Sequence, residues 1–293
     1  MTCTSPFRLR LPEGQIVELP CGHCMACRIA RSREWASRII HEMGYHNGSS
    51  FITLTYSDEY LPSDSSISIP DVQKFLKRLR KDLAPKRIRY FLSGEYGDGK
   101  GERKINPHYH AIIFGLSPGL DTQLLIKQNW PYGMIDVGTV TYNSARYVAA
   151  YVLKKYDGRK ADEEYQGRQP PFCLMSKGLG KQFLLDNRDQ LAANGGFTVQ
   201  GAPVGLPRYY KDLKVHTNPN DKQSPLIRVL DLDTAQLRSQ AIENAKLTLD
   251  KYRELGTIDD NDFDWSFSEN KKNARQASEA ALVAKTNLYK KKL

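Results

Sequence analysis

Long apolar runs are missing from this chain of 293 residues. None approaches the roughly 20 residues that span a bilayer, and the N-terminus lacks the uninterrupted apolar core of a secretory signal. Neither a membrane span nor export is expected. Cysteine is scarce: of five, three crowd into 21–27, which suits a reducing compartment better than a disulfide framework. Gly178-Leu179-Gly180-Lys181 has neither the Walker spacing nor a preceding strand, so it reads as a turn rather than a phosphate loop. No internal repeat is present. Acid is also short, with 33 Asp and Glu against 43 Lys and Arg, a net charge of +10. Residues 221–293 hold 13 basic and 12 acidic side chains, so residues 1–220 carry +9 of that excess. A polyanionic partner is implied for the first 220 residues, and a tail binding by charge alone is not.

What is present centres on Asn106-Pro107-His108-Tyr109-His110-Ala111-Ile112-Ile113-Phe114. In a strand, residues i and i+2 share a face, so His108 and His110 can aim at one point. Tyr109, Ile112 and Phe114 are expected on the opposite face. Neutral imidazoles are good ligands for divalent ions, although two polar residues on the wet face of a half-buried strand give the same pattern. Arg89 to Tyr96 reads as the preceding strand, and Gly97, Asp98, Gly99 and Gly101 mark a turn between the two. Glu95 then lies across from or beside His108 and completes a site of two histidines and one carboxylate. As an ordinary hairpin residue it would form an ion pair instead.

Two further stretches carry chemistry. Cys21, Cys24 and Cys27, with Cys3 upstream and His23 as a substitute, could supply four ligands to a structural zinc. Reduced thiols at a turn and helix start are the plainer alternative. A helix of about 28–45 follows, with His41 and His46 read as helix-end residues that suit the dipole. A second helix, 143–156, has Asn143 or Ser144 as its expected N-cap. Setting Tyr147 at zero and stepping about 100° per residue puts Tyr151 near 40° and Lys154 near −20°. Val148, Ala149, Val152, Leu153 and Tyr156 lie on the far side, so the two tyrosines and the lysine point away from the core. A tyrosine hydroxyl so placed can attack a phosphate held by an ion on Glu95, His108 and His110, with Lys154 neutralising charge.

At these residues the chain resembles the HUH endonucleases, most closely the replication initiators of gokushovirus-type microviruses, small single-stranded DNA phages. The likeness is carried by Phe51 to Tyr56, Gly94-Glu95-Tyr96-Gly97, the histidine strand and the span Tyr147 to Lys154. Pro20 to Arg28 and Leu206 to Tyr210 add to it. Tyr109 departs from the aliphatic residue common between the histidines, but it suits an apolar strand face. The resemblance implies an α+β fold with a central antiparallel sheet of about five strands, helices against it, and the histidines on a central strand. It divides the chain into a cysteine-rich segment and helix (1–46), an endonuclease core (47–215) and a helical extension (216–293). It implies Mg²⁺- or Mn²⁺-dependent nicking of single-stranded origin DNA in the cytoplasm of a bacterial host. Tyr147 and Tyr151 would be the nucleophiles, and a host helicase a partner. Zinc hydrolases and non-haem iron oxygenases share two histidines and a carboxylate, but need no solvent-side tyrosine pair. Plasmid initiators, relaxases and transposases of the same superfamily remain alternatives, as does a zinc-stabilised nucleic-acid-binding module with a structural histidine pair.

Overall fold

A computed structural model describes residues 3–10, 16–97, 105–150, 159–199, 201–218, 220–230 and 272–284, with 243, 247 and 254 as single positions. In chain order the elements are β1 (Phe7–Arg10), β2 (Ile16–Leu19), α1 (Met25–Met43), β3 (Ser49–Thr55), α2 (Ile69–Leu83), β4 (Arg89–Tyr96), β5 (Pro107–Phe114), α3 (Leu120–Asn129), β6 (Ile135–Thr139), α4 (Tyr142–Ala150) and β7 (Phe172–Met175). Residues 272–284 are helical. The chain divides into two units, one of residues 1–30 and 231–293 and one of residues 31–230, the boundary falling within α1. No helix among the described residues is long and apolar enough to cross a membrane.

The larger unit is built on a five-stranded antiparallel sheet in the order β6-β3-β5-β4-β7, which puts the histidine strand in the middle. Strand β3 alternates in burial, as a strand with unequal faces must, while β5 is buried almost throughout because both its faces are covered. On one face Ile52, Leu54, Leu92, Tyr109, Ala111 and Ile113 pack against α2 and α3. Val72, Phe75, Leu76 and Leu79 form the buried stripe of α2 at helical spacing. Ser68 caps that helix by accepting the Asp71 N–H, Pro70 lies in its first turn, and Arg80 and Lys81 suit its negative end.

The other face carries Phe91, Ile112 and Phe114 under Ala36 and Ile39 of α1 and Ala145, Val148 and Ala149 of α4. Ile112 and Phe114 therefore share the histidine face instead of opposing it. The period-two rule itself requires this, since 108, 110, 112 and 114 have one parity. Tyr109 does take the opposite face, fully buried, with its hydroxyl 2.9 Å from that of Tyr56 and 2.6 Å from the Ser68 N–H at the start of α2. The bulkier residue between the histidines thus anchors a helix. The cap of α4 also differs from expectation. Thr141 Oγ1 accepts the Ser144 N–H and Ser144 Oγ accepts the Thr141 N–H, a reciprocal pair that starts the helix before Asn143.

His41 is not an exposed helix-end residue. It is 8% exposed, stacked on Phe183 at 3.7 Å, with Nδ1 2.8 Å from the Tyr210 hydroxyl. Burial lowers its pKa to about 4. Below its ordinary value near 6.5 the unfolded chain gains a proton that the folded chain refuses. The stability His41 contributes is therefore complete above about pH 6.5 and lost as pH falls through about 4, on the order of 3 kcal/mol in all. Urea midpoints should consequently fall more steeply from pH 7 to pH 4 in the wild type than in His41→Gln. Parallel pH profiles for the two would refute this coupling.

Candidate metal centre and its tyrosine

Sheet register assembles the centre. Thr53 and Ser93 flank His110 on the neighbouring strands, and Thr55 and Glu95 flank His108. One row further along, Phe51, Ile112 and Phe91 align and begin the packed core. The polar rows thus continue a hydrophobic face past the edge of its helical cover.

Glu95 is 2% exposed, a burial that a carboxylate tolerates only with partners. Its Oε1 lies 2.9 Å from His108 Nε2 and 3.8 Å from His110 Nε2. One ligand atom from each of the three residues lies within 4.8 Å of the others. The hydrogen bonds behind the rings orient them. His108 Nδ1 is 2.7 Å from the Asn106 carbonyl oxygen, which can only accept, so Nδ1 carries a proton. His108 Nε2 then faces a carboxylate oxygen at hydrogen-bond distance, an arrangement that needs a second proton or a cation between them. His110 Nδ1 is 3.0 Å from Thr53 Oγ1, which holds the ring with Nε2 toward Glu95. Backing interactions of this kind fix tautomer and orientation at metal-binding histidines. The donor set and its supports fit a divalent ion.

Tyr147 is brought to this centre. Its ring meets that of His110 edge to face at 5.3 Å and lies 6.4 Å from Phe51, and the residue is 36% exposed. Val148 and Ala149, next along the helix, are buried, as the helical wheel anticipates. Tyr151 and Lys154 lie outside the described residues. Thr53 and the Asn106 carbonyl escaped the sequence reading. Asn106 stood beside the motif, whereas Thr53 could be found only from the pairing of β3 with β5.

In the smaller unit the four cysteines are likewise brought together, all free and with their sulfurs within 4.8 Å of one another. Burial resists ionisation at each. At Cys24 hydrogen bonds from Thr4 and Cys27 outweigh it and hold the thiol down at about 6. At Cys27 burial, reinforced by Cys24 and Cys3, pushes the thiol up to about 12.

The family model for replication-associated protein ORF2 matches residues 49–156, a stretch that contains Glu95, both histidines, both tyrosines and Lys154. Replication-associated protein VP4 of Bdellovibrio phage phiMH2K is 34% identical over 224 residues, 68% of this chain and 68% of its own. The chain belongs to the phage replication-associated proteins. Replication-associated protein ORF4 of Chlamydia phage 1 is 30% identical over 216 residues, 67% of this chain and 53% of its own. Replication-associated protein ORF2 of Spiroplasma virus 4 is 33% identical over 198 residues, 59% of each. This replication-associated protein thus matches little more than half the length of the latter two. No solved structure matches it.

Proposed function

We propose that this replication-associated protein nicks and rejoins single-stranded origin DNA through a covalent 5′-phosphotyrosine, the reaction that starts rolling-circle replication. The observation that carries this reading is Tyr147, half-exposed, with its ring against His110 at the edge of the Glu95, His108 and His110 cluster. Mg²⁺ or Mn²⁺ held by those three side chains would polarise a phosphate oxygen and offset its charge. The Tyr147 hydroxyl gives up its proton as its oxygen bonds to phosphorus, and the bond from phosphorus to the 3′ oxygen breaks. That oxygen takes a proton and leaves as a 3′ hydroxyl able to prime synthesis. Tyr151, one helical turn on by sequence, then serves a second transfer that closes the displaced strand. Lys154, one turn beyond Tyr151 at the same spacing, neutralises phosphate charge. The net +9 of residues 1–220 suits the DNA backbone. We further propose that the protein works with host replication proteins, a helicase among them, in the cytoplasm of an infected bacterium.

The test uses labelled oligonucleotides tiling the viral strand, incubated with the protein and Mn²⁺ and run on denaturing gels. One oligonucleotide should yield a covalent adduct that EDTA abolishes. Trypsin cuts after Arg146 and Lys154, so the nucleotide should map to the single peptide 147–154, which holds both tyrosines. An adduct on any other peptide would overturn the assignment, as would nicking that proceeds in EDTA.

A further inference from the structure

The smaller unit has almost nothing to hold it together by burial. Among the described residues of 1–30 and 231–293, Ala26 is the one fully buried apolar side chain, while Phe7, Leu9 and Leu19 of the β1–β2 hairpin are exposed. Units too small for a hydrophobic core fold with the help of disulfides or metals. Here the cysteines are free, and four of them converge.

Their surroundings are those of thiolates. The Cys21 N–H donates to Cys3 Sγ at 3.3 Å, and the N–H groups of His23 and Cys24 donate to Cys21 Sγ at 3.4 and 3.3 Å. Gly22, at φ +79°, makes the turn that points those N–H groups at the sulfur. Four thiolates about 2.3 Å from a tetrahedral ion sit about 3.8 Å apart. Cys3 Sγ and Cys24 Sγ are 3.7 Å apart, and no pair in the set exceeds 4.8 Å. The chain segments joined there are otherwise separate: Cys3 precedes β1, Cys21 and Cys24 follow β2, and Cys27 lies in the first turn of α1. A fourth segment docks beside them. Glu279, in the helical stretch 272–284, accepts the Met25 N–H at 2.7 Å and the Thr4 hydroxyl at 2.9 Å, capping α1 next to the cysteines.

We propose that Cys3, Cys21, Cys24 and Cys27 bind a structural zinc ion as four thiolates, and that the ion replaces a hydrophobic core in the unit formed by residues 1–30 and 231–293. It stands apart from the catalytic reading and does not depend on it. Four sulfur donors leave no open position for water or substrate, so the ion is structural rather than catalytic.

Full-length protein dialysed against EDTA should retain about one zinc per chain. That zinc should persist in His108→Ala/His110→Ala and be lost in Cys21→Ser/Cys24→Ser. Should the cysteine variant fail to fold, the wild type still answers. Titration with a mercurial in the presence of a zinc indicator should release one ion as about four thiols are modified. Protein that is folded and zinc-free would overturn the proposal. So would iron in place of zinc, zinc that leaves with the histidines instead of the cysteines, or release complete after fewer than three thiols.

Discussion

Tyr147→Phe/Tyr151→Phe is expected to form no covalent adduct, a fall of roughly 10³-fold or more, because no second group replaces a missing nucleophile. Phenylalanine at 147 keeps the ring that packs on His110 and Phe51, so the sheet and helix should be undisturbed and the loss confined to chemistry. His110→Ala supplies the contrast. It removes one of three ligands and the partner of Thr53, with an expected loss of about 10³-fold at low Mn²⁺, since an ion's stabilisation of transferring phosphate is worth several kcal/mol. Raised Mn²⁺ should restore part of that activity but none in the double tyrosine variant. An adduct that survives in Tyr147→Phe/Tyr151→Phe would sink the nucleophile assignment. A His110→Ala protein as active as wild type would remove the metal centre from the mechanism.

The largest structural effect is expected at Gly133, where the chain enters β6. The Thr55 and Ser57 N–H groups donate to the Met134 and Tyr132 carbonyls at 3.0 and 2.8 Å, and the Trp130 indole donates to the Thr55 carbonyl at 2.8 Å. Gly133 is therefore clamped against the backbone at the end of β3. A Cβ there would overlap the Thr55 carbonyl oxygen and come within 2.7 Å of Ser57 N and 2.8 Å of the Tyr56 carbonyl carbon. Backbone cannot rotate away as a long side chain can, so Gly133→Ala should cost at least about 3 kcal/mol in urea unfolding. Gly138→Ala on the same strand is the control, because a Cβ there meets nothing within 4 Å, and it should be neutral or stabilise by up to about 1 kcal/mol. Equal stability of the two variants would refute the clamp.

Local chemistry made much of this molecule legible beforehand. The histidine spacing, the apolar tail behind it and the turn residues before it specify a hairpin, and Glu95 stands directly opposite His108. Helical spacing alone separated Tyr147 from the buried Val148 and Ala149. Where a local rule was misapplied, at Ile112 and Phe114, the strand's own parity supplies the correction. His41 failed for another reason. Its place near the end of α1 suggested solvent, but Phe183 and Tyr210, some 140 and 170 residues later in the chain, close over it.

The sequence by itself determined which side chains could do chemistry and which of them share a face, because helix and strand periods act over a few residues. Tertiary structure decided which faces meet. Only the order β6-β3-β5-β4-β7 sets Thr53 behind His110, and only the packing of α4 on the sheet brings Tyr147 to the metal ligands. Likewise, Cys3 joins the other three cysteines through a hairpin whose pairing the cysteine spacing does not encode. Contacts between segments far apart in sequence depend on summed burial across the whole unit, and no local pattern carries that sum.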